Sequence, residues 1–316
     1  MTKKRKKKKK THHYFSKLFC IIILLFICYS IYTYGIEETF GLDPETIQEL
    51  FSLNTKEEQP VNGNLIVKIL DVGQADAILI QNNNHNMLID AGNNNDGNLL
   101  VQYFKELGIT NFEIVVGTHP HEDHIGGLDD ILKNFSVQKL YIPDVITTTK
   151  TFIDVLDALE EKNMKFDVPR INDTWNLGDA SIEVMYTGTD KKDLNSSSIV
   201  LKLNYGNIKF LFTGDATASV ERELISKNIE ANILKVAHHG SPYSTIDEFL
   251  TQVHPQYALI SVGKNNSYGH PSEKIISKLN YNHIDVHRTD EEGTIVVISD
   301  GKSIQIHSEK TNVDGG

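Results

Sequence analysis

The chain has 316 residues, 40% of them hydrophobic and 23% charged, with a formal net charge of −11. That length holds one large α/β domain with appendages. Its two cysteines, Cys20 and Cys28, both lie near the N-terminus, so the remainder has no disulfide and no thiolate to offer a metal. Nine of the 31 basic residues fall in 1–17 with no acidic one. The rest sets 22 basic against 42 acidic side chains, which excludes the broad basic face that holds duplex nucleic acid through many phosphates.

Five segments are expected: a basic tail (1–17), an apolar span (18–36), a linker (37–62), the main domain (63–309) and a short tail (310–316). Nineteen helical residues at 18–36 extend about 28 Å, close to a hydrocarbon core of ~30 Å. Lysines precede this run and Glu37 and Glu38 follow it, so the tail is expected in the cytoplasm and the domain outside the cell. The run lacks a convincing small-x-small cleavage site, and Ile27-Cys28 makes a poor lipoprotein site, which favours an uncleaved single-pass anchor over a signal peptide. Beside such a span the polybasic tail fits anionic lipid better than nucleic acid. In the linker, Asp43-Pro44 caps a predicted short helix reaching Phe51.

The domain opens with two predicted strands between Asn64 and Ile80, joined at Gly73. A turn at 82–86 leads to a third strand ending Asp90-Ala-Gly92. Leu99–Leu107 has the spacing of an amphipathic helix closed by Gly108. Phe112–Val116 reads as a buried strand and Ile125–Phe135 as a helix. Between them stands Thr118-His-Pro-His-Glu-Asp-His-Ile-Gly-Gly. Val137–Ile142 is a further strand, Thr151–Lys162 a helix, and Lys165–Tyr186 a set of short strands. Ser198–Leu203 and Ile208–Phe212 make a hairpin around Tyr205-Gly-Asn, ending in Thr213-Gly-Asp215. Ile233-Leu-Lys-Val-Ala runs into His238-His239-Gly-Ser. Tyr257–Gly263 precedes Tyr268-Gly-His270-Pro, and the stretch from His287-Arg-Thr-Asp to Gly301 reads as a strand, a turn and a closing hairpin.

His119, His121, Asp123 and His124 place four metal-binding side chains within six positions. Neutral imidazole and carboxylate are the usual ligands of Zn²⁺ and related ions. A strand-to-helix loop can present His119 and His121 to one ion and Asp123 and His124 to a second, and Gly126 and Gly127 let the backbone pass close by. Asp90, a carboxylate at the end of a buried strand, needs a polar partner. Orienting a metal-bound histidine would supply one, and a simple turn cap is the plainer role. Asp215, at a strand end beside glycine, is placed to bridge two ions. Of His238 and His239, which alternate across a persisting strand, His238 is favoured as the ligand. His270 stands evenly between ligand and structural residue. His85, His254, His283, His287 and His307 lack such a setting.

Taken together, Leu70-Asp-Val-Gly-Gln-Ala-Asp-Ala, the 118–127 stretch, Thr213-Gly-Asp-Ala, Leu234-Lys-Val-Ala-His-His-Gly-Ser and His287-Arg-Thr-Asp resemble the metallo-β-lactamase-fold hydrolases. They are most similar to the ComEC-type branch, the metallohydrolase domain of DNA-uptake proteins and its stand-alone relatives. The match covers roughly 64–308 and implies an α/β four-layer αββα sandwich. Ala75 stands where that branch usually has glycine, and no histidine lies between His124 and His238, where most of the superfamily supplies a ligand. Asn195 occupies roughly that region. The lack of a cysteine argues against the β-lactamases that use a cysteine ligand, and the multi-span pore of ComEC is missing.

The resemblance implies a metal-dependent hydrolase with two divalent ions, zinc first and manganese second. The implied ligands are His119, His121, Asp123, His124, Asp215 and His238, with His239, His270 and Asp90 as further candidates. Asp123 and His124 carry the catalytic role at a metal-bound hydroxide, and Asn195, Ser197 and Ser198 are phosphate-contact candidates. A phosphodiester is the implied substrate, with weak, non-specific contact to DNA. The alternatives are an envelope esterase of the phosphorylcholine type and a non-catalytic DNA-handling protein.

Overall fold

The computed structural model describes residues 64–309, all within the compact unit Pro60–Gly316. The basic tail, the apolar span, the linker with its short helix and the 310–316 tail lie outside the described residues. Among the described residues no helix is long and apolar enough to cross a membrane.

Fourteen strands follow in chain order. The first five are β1 (Leu65–Ile69), β2 (Ala77–Asn82), β3 (His85–Ala91), β4 (Asn111–Val116) and β5 (Ser136–Tyr141). Next come β6 (Thr174–Leu177), β7 (Ala180–Tyr186), β8 (Val200–Tyr205), β9 (Ile208–Phe212), β10 (Ile233–Lys235) and β11 (Tyr257–Ile260). β12 (Asp285–Arg288), β13 (Thr294–Ser299) and β14 (Ile304–Glu309) are the last strands among the described residues. They form two seven-stranded sheets, ordered β14-β13-β1-β2-β3-β4-β5 and β12-β11-β10-β9-β8-β7-β6. Each sheet is mixed. In the first, β3-β4-β5 run parallel and the other neighbours antiparallel. In the second, β9-β10-β11-β12 run parallel and β6-β7-β8-β9 antiparallel.

The side-chain period of two sets the layers. On β2, Ile78 and Ile80 face the opposite sheet, packing in one cluster with Ile89, Val116, Leu201, Leu203, Phe210 and Phe212. Leu79 points the other way, into a cluster with Leu88, Val115, Leu100, Phe104, Leu132 and Phe152. These last come from the helices α1 (Gly97–Glu106), α3 (Leu128–Asn134) and α4 (Lys150–Glu161). Thr149 caps α4 by accepting from Phe152 N at 3.3 Å. On the far side, Leu211, Leu234, Ala258 and Ile260 pack with Val220, Phe249, Leu250 and Leu279. Those residues lie on α5 (Ala218–Leu224), α6 (Asp247–Val253) and α7 (Glu273–Tyr281). The architecture is helix–sheet–sheet–helix, with strands buried on both faces.

Two expected elements come out differently. The helix expected over Ile125–Phe135 is split into α2 (Glu122–Ile125) and α3. A Cβ on Gly126 would meet the Asn93 carbonyl carbon at 2.2 Å, and one on Gly127 the Ala91 oxygen at 2.6 Å. The glycine pair is therefore where the chain lies directly against the end of β3, donating to Gly92 O at 2.9 Å and Ala91 O at 3.1 Å. The strand expected to carry His238 and His239 stops at Lys235, and both histidines adopt left-handed backbone, φ 51° and 53°. The His287–Asp290 motif ends β12 and turns through the short helix α8 (Thr289–Glu292) into the β13–β14 hairpin, in line with the expected strand, turn and hairpin. Thr289 Oγ1 accepts from Val262 N and donates to Val262 O, at 2.8 and 3.0 Å, so it fastens the end of β11.

Candidate metal centre

The parallel strands of both sheets end at one place, and the functional side chains come from the loops that follow them. Asp90 lies on β3, His119 to His124 follow β4, Asp215 follows β9, and His238 and His239 follow β10. Asp123, His124, Asp215 and His239 converge so that one donor atom of each lies within 4.8 Å of the others. His124 Nε2 is 3.3 Å from Asp215 Oδ1, and His239 Nε2 is 3.4 Å from Asp123 Oδ2 and 3.8 Å from Asp215 Oδ1. On the other side of the same carboxylate, Asp215 Oδ2 stands 4.0 Å from His119 Nε2 and 3.7 Å from His238 Nε2. His121 Nδ1 completes this second group, 2.9 Å from His119 Nε2. Asp215 thus turns one oxygen to each group.

The outward nitrogens of the histidines are fixed by the protein. His124 Nδ1 is 2.8 Å from Asp90 Oδ2. Asp90 is fully buried and also accepts from Thr118 N and Thr118 Oγ1, both at 2.7 Å. His239 Nδ1 lies 2.9 Å from Ser261 O. His119 Nδ1 faces Thr118 Oγ1 at 3.2 Å and Ser198 Oγ at 3.4 Å. With Nδ1 donating in each ring, the Nε2 lone pairs point into the site.

This donor set fits divalent cations. His124 Nε2, His239 Nε2 and Asp215 Oδ1 are buried atoms with no hydrogen-bond partner, an arrangement that costs free energy unless something else binds them. Four buried or largely covered carboxylates, Asp76, Asp90, Asp123 and Asp215, share the region with one fixed cation, Lys235, whose ammonium pairs with Asp76. The charge deficit appears in the histidines. Burial works against a charged His124, yet the Asp215, Asp90 and Asp123 carboxylates outweigh it and hold its pKa well above the ordinary value. His239 is raised in the same way, against burial, by Asp215 and Asp76. His119 is held well below its ordinary value by burial and by the neighbouring His124.

Several expected site residues are placed differently. Both histidines of the pair face the site, because the left-handed turn aims the two rings at Asp215 from different sides. His239, buried, joins the four-residue cluster, while the half-exposed His238 sits beside Asp215 Oδ2 with Asn195 Nδ2 at 3.4 Å. The favoured choice of His238 alone rested on a strand that does not persist. Ser197 and Ser198 are fully buried and cannot reach a substrate. Ser197 Oγ donates to Leu194 O at 2.6 Å, and Ser198 Oγ accepts from Asp215 N at 3.1 Å. They brace the site from behind, whereas Asn195 stays at its rim. His270 lies outside the cluster, its ring 5.8 Å from that of His238.

Sequence reasoning missed Asp76 and Lys235. Asp76 Oδ1 is 3.4 Å from His239 Nδ1, so the buried Asp76–Lys235 pair stands directly behind a ligand candidate. The signal was present in Ile233-Leu-Lys-Val-Ala, where a lysine interrupts an otherwise apolar strand.

Residues 70–264 match the family model of the metallo-β-lactamase superfamily, and the chain belongs to that superfamily of metal-dependent hydrolase folds. It is similar to ComE operon protein 3 of Bacillus subtilis, 32% identical over 250 residues, covering 72% of this chain and 32% of the relative. It is also similar to competence protein ComA of Neisseria gonorrhoeae, 26% identical over 234 residues, covering 72% and 31%. The resemblance to ComEC-type competence proteins therefore holds, although the chain spans only about a third of those relatives' length. Among solved structures, the metallo-β-lactamase-fold protein YhfI of B. subtilis shares the fold at TM-score 0.50 and 13% identity, covering 75% of this chain and 99% of that one.

Proposed function

We propose that this chain is a metal-dependent phosphodiester hydrolase. The observation that carries the reading is the convergence of His124 Nε2, His239 Nε2 and Asp215 Oδ1, three buried and unpartnered donor atoms, beside a second group built on the other oxygen of Asp215. Asp123, His124, His239 and Asp215 would hold one divalent ion. His119, His121, His238 and Asp215 would hold the other, with His238 standing in for the ligand that most of the superfamily takes from mid-domain. Such a pair supplies an acidified water as nucleophile and electrostatic stabilisation of the oxygens on which charge develops. Zinc suits this imidazole and carboxylate set, with manganese as second choice.

The protein's own residues position and exclude. Asp90, Thr118 and Ser261 fix the rings of His124, His119 and His239 before any ligand arrives. Asp123, partly exposed with its carboxyl pKa lowered, keeps a charged oxygen at the open side of the site. There it can accept a hydrogen bond; burial alone would raise that pKa, and the neighbouring His124 and His239 outweigh it. Asn195, with Nδ2 beside His238, is the remaining candidate for contact to a non-bridging phosphate oxygen. The surplus of acidic over basic residues supports small or single-stranded phosphodiesters over long duplex.

Competence relatives support nucleic acid as the source of the phosphodiester. An anchored, extracellular setting rests on the 18–36 run. The test is metal analysis of the purified full chain, followed by turnover of phosphodiester, phosphomonoester, lactam and thioester compounds before and after chelation. Metal-dependent cleavage of the phosphodiesters is expected. Bound metal with turnover confined to another class, or undiminished activity in metal-free folded protein, would overturn the reading.

A further inference from the structure

A run of aromatic rings leads from the histidine pair to solvent. The His238 and His270 rings are 5.8 Å apart, edge to face at 74°. His270 and Tyr268 are again 5.8 Å apart, with their planes stacked at 23°. Tyr268 ends the run with 71% of its surface exposed, so its ring contributes little to the core. Two ring steps separate it from a histidine whose Nε2 is 3.7 Å from Asp215. The two steps place the Tyr268 ring no more than about 12 Å from the His238 ring.

The loop that carries these rings is fastened mainly by one of its own side chains. Asn266 Nδ2 donates to Gly263 O at 3.0 Å and His270 O at 2.6 Å, and its Oδ1 accepts from Tyr268 N and His270 N, both at 3.1 Å. Beyond His270, Ser272 N donates to Gly240 O at 2.9 Å, which ties the loop to the His238–Gly240 turn. The tyrosine is thus presented ready-made, and a ligand meeting it orders little further.

We propose that Tyr268, backed by His270, is a stacking platform for a nucleobase next to the scissile phosphate, so that the site takes short single-stranded nucleic acid. The proposal rests on the phosphodiesterase reading for what happens at the phosphate, and on the ring geometry for the base. A free base face is available only in unpaired strands, since duplex stacking hides it. Stacking needs no positive charge. That matters here because the chain beyond the basic tail sets 22 basic against 42 acidic residues, a poor electrostatic match for a polymer of phosphates. A flat contact for one base, with the ions engaging one phosphate, is recognition open to an acidic protein.

The test uses the full, metal-loaded chain with a labelled short oligothymidylate, the same backbone carrying abasic residues, and a duplex. Affinity is read by fluorescence anisotropy, and KM and kcat by turnover. Tyr268→Leu removes the flat face, and Tyr268→Phe keeps it. Tyr281→Leu is the control: an exposed tyrosine at the far end of α7, about 12 Å of helix from its first residue. Tyr268→Leu should weaken binding of the oligothymidylate about tenfold and raise KM in step with kcat unchanged. Tyr268→Phe and Tyr281→Leu should match the wild type, and the abasic strand should bind the wild type as weakly as the oligothymidylate binds Tyr268→Leu. Equal affinity of wild type and Tyr268→Leu, equal affinity for based and abasic strands, or a duplex bound as tightly as the single strand would each overturn the platform. Tyr268-dependent binding without cleavage would keep the platform and remove the hydrolase reading. Cleavage indifferent to Tyr268 would do the reverse, and absence of both binding and cleavage would remove both.

Discussion

Replacing Asp90 by asparagine separates a residue that tunes the metal centre from one that merely fastens a turn. The buried carboxylate accepts three hydrogen bonds: Thr118 N on Oδ1, and Thr118 Oγ1 and His124 Nδ1 on Oδ2. Asparagine keeps the volume but has one acceptor oxygen. With that oxygen at the Oδ2 position, the hydroxyl and imidazole bonds survive and an NH₂ group faces the Thr118 N–H. With the opposite orientation two bonds are lost instead of one, so the first is favoured. It leaves a buried N–H unsatisfied, at about 1–3 kcal/mol, and turns two charge-assisted bonds into weaker neutral ones. The substitution should therefore cost roughly 2–4 kcal/mol of stability.

The effect on the metal is a separate quantity. Loss of the carboxylate behind His124 lowers the basicity of Nε2 and loosens the ring, which for such outer partners costs about 10- to 100-fold in metal affinity or activity. Stability is measured by chemical denaturation of the metal-free protein. Affinity is measured by competition with a chromogenic chelator under conditions where the variant is fully folded. A variant that is destabilised but binds metal with wild-type affinity would reduce Asp90 to a fastening for Thr118 and refute the role derived for it.

His239→Ala should remove one ion per chain and abolish turnover, while His238→Ala, losing a half-exposed ring at the open side, should weaken metal binding without emptying the Asp123–His124 group; metal content after gel filtration decides between them. Gly126→Ala would drive a Cβ to 2.2 Å from the Asn93 backbone. It should lower the melting temperature by several degrees and reduce metal content together, and an unchanged melting curve would sink the close-approach argument. Glu221, buried on α5, has its carboxyl pushed from 4.5 to about 7 by burial, even though Thr245 N and Ile246 N donate to it. Its folded pKa is above its unfolded one, so its contribution is most favourable below pH 4.5 and is lost as pH rises towards 7. The loss amounts to up to about 3 kcal/mol. The wild-type stability relative to Glu221→Gln should fall over that window in urea titrations, and a flat difference would contradict the sign.

Much of the centre was legible because its chemistry is local. His119 to His124 lie within six residues, and Asp215 and the histidine pair each follow an apolar strand, so strand ends alone located them. What could not be read depends on backbone angles and on neighbours distant in sequence. The choice between His238 and His239 turned on two left-handed φ values, which no side-chain alternation reveals. Ser197 and Ser198 carry polar side chains suited to a phosphate, but a 3-10 turn at Leu194–Ser197 turns Ser197 back onto Leu194 O and leaves Ser198 against the Asp215 N–H. Asp76 is 159 residues from its partner Lys235, and only the meeting of the two sheets brings them together. The helices α5, α6 and α7 were not read individually, because their short apolar stripes are weak signals outside the packed layer.

The location of the centre follows from the way each sheet is made. Both sheets change from antiparallel to parallel pairing, the first at β3 and the second at β9, and parallel strands all release their chains at the same edge. β3, β4, β9, β10 and β11 therefore end side by side across the sandwich, giving Asp90, His119, Asp215, His239 and Ser261 in turn. A bridging carboxylate on a loop would have to be ordered afresh by each ligand. Here Asp215 is held by the neighbouring strand of its own sheet, since its N–H meets Ser198 Oγ just before β8, and the next residue reaches the opposite sheet, Ile199 N donating to Thr118 O at 2.9 Å. The loop that carries His119 and the loop that carries Asp215 are thus tied across the two sheets by the segment leading into β8. Metal affinity should consequently depend on how firmly the sheets are packed, and a cavity between them, such as Phe212→Ala, should lower it along with stability. If Phe212→Ala loses roughly 3–5 kcal/mol while the folded fraction keeps wild-type affinity, the centre is rigid on its own loops and the coupling argued here is wrong.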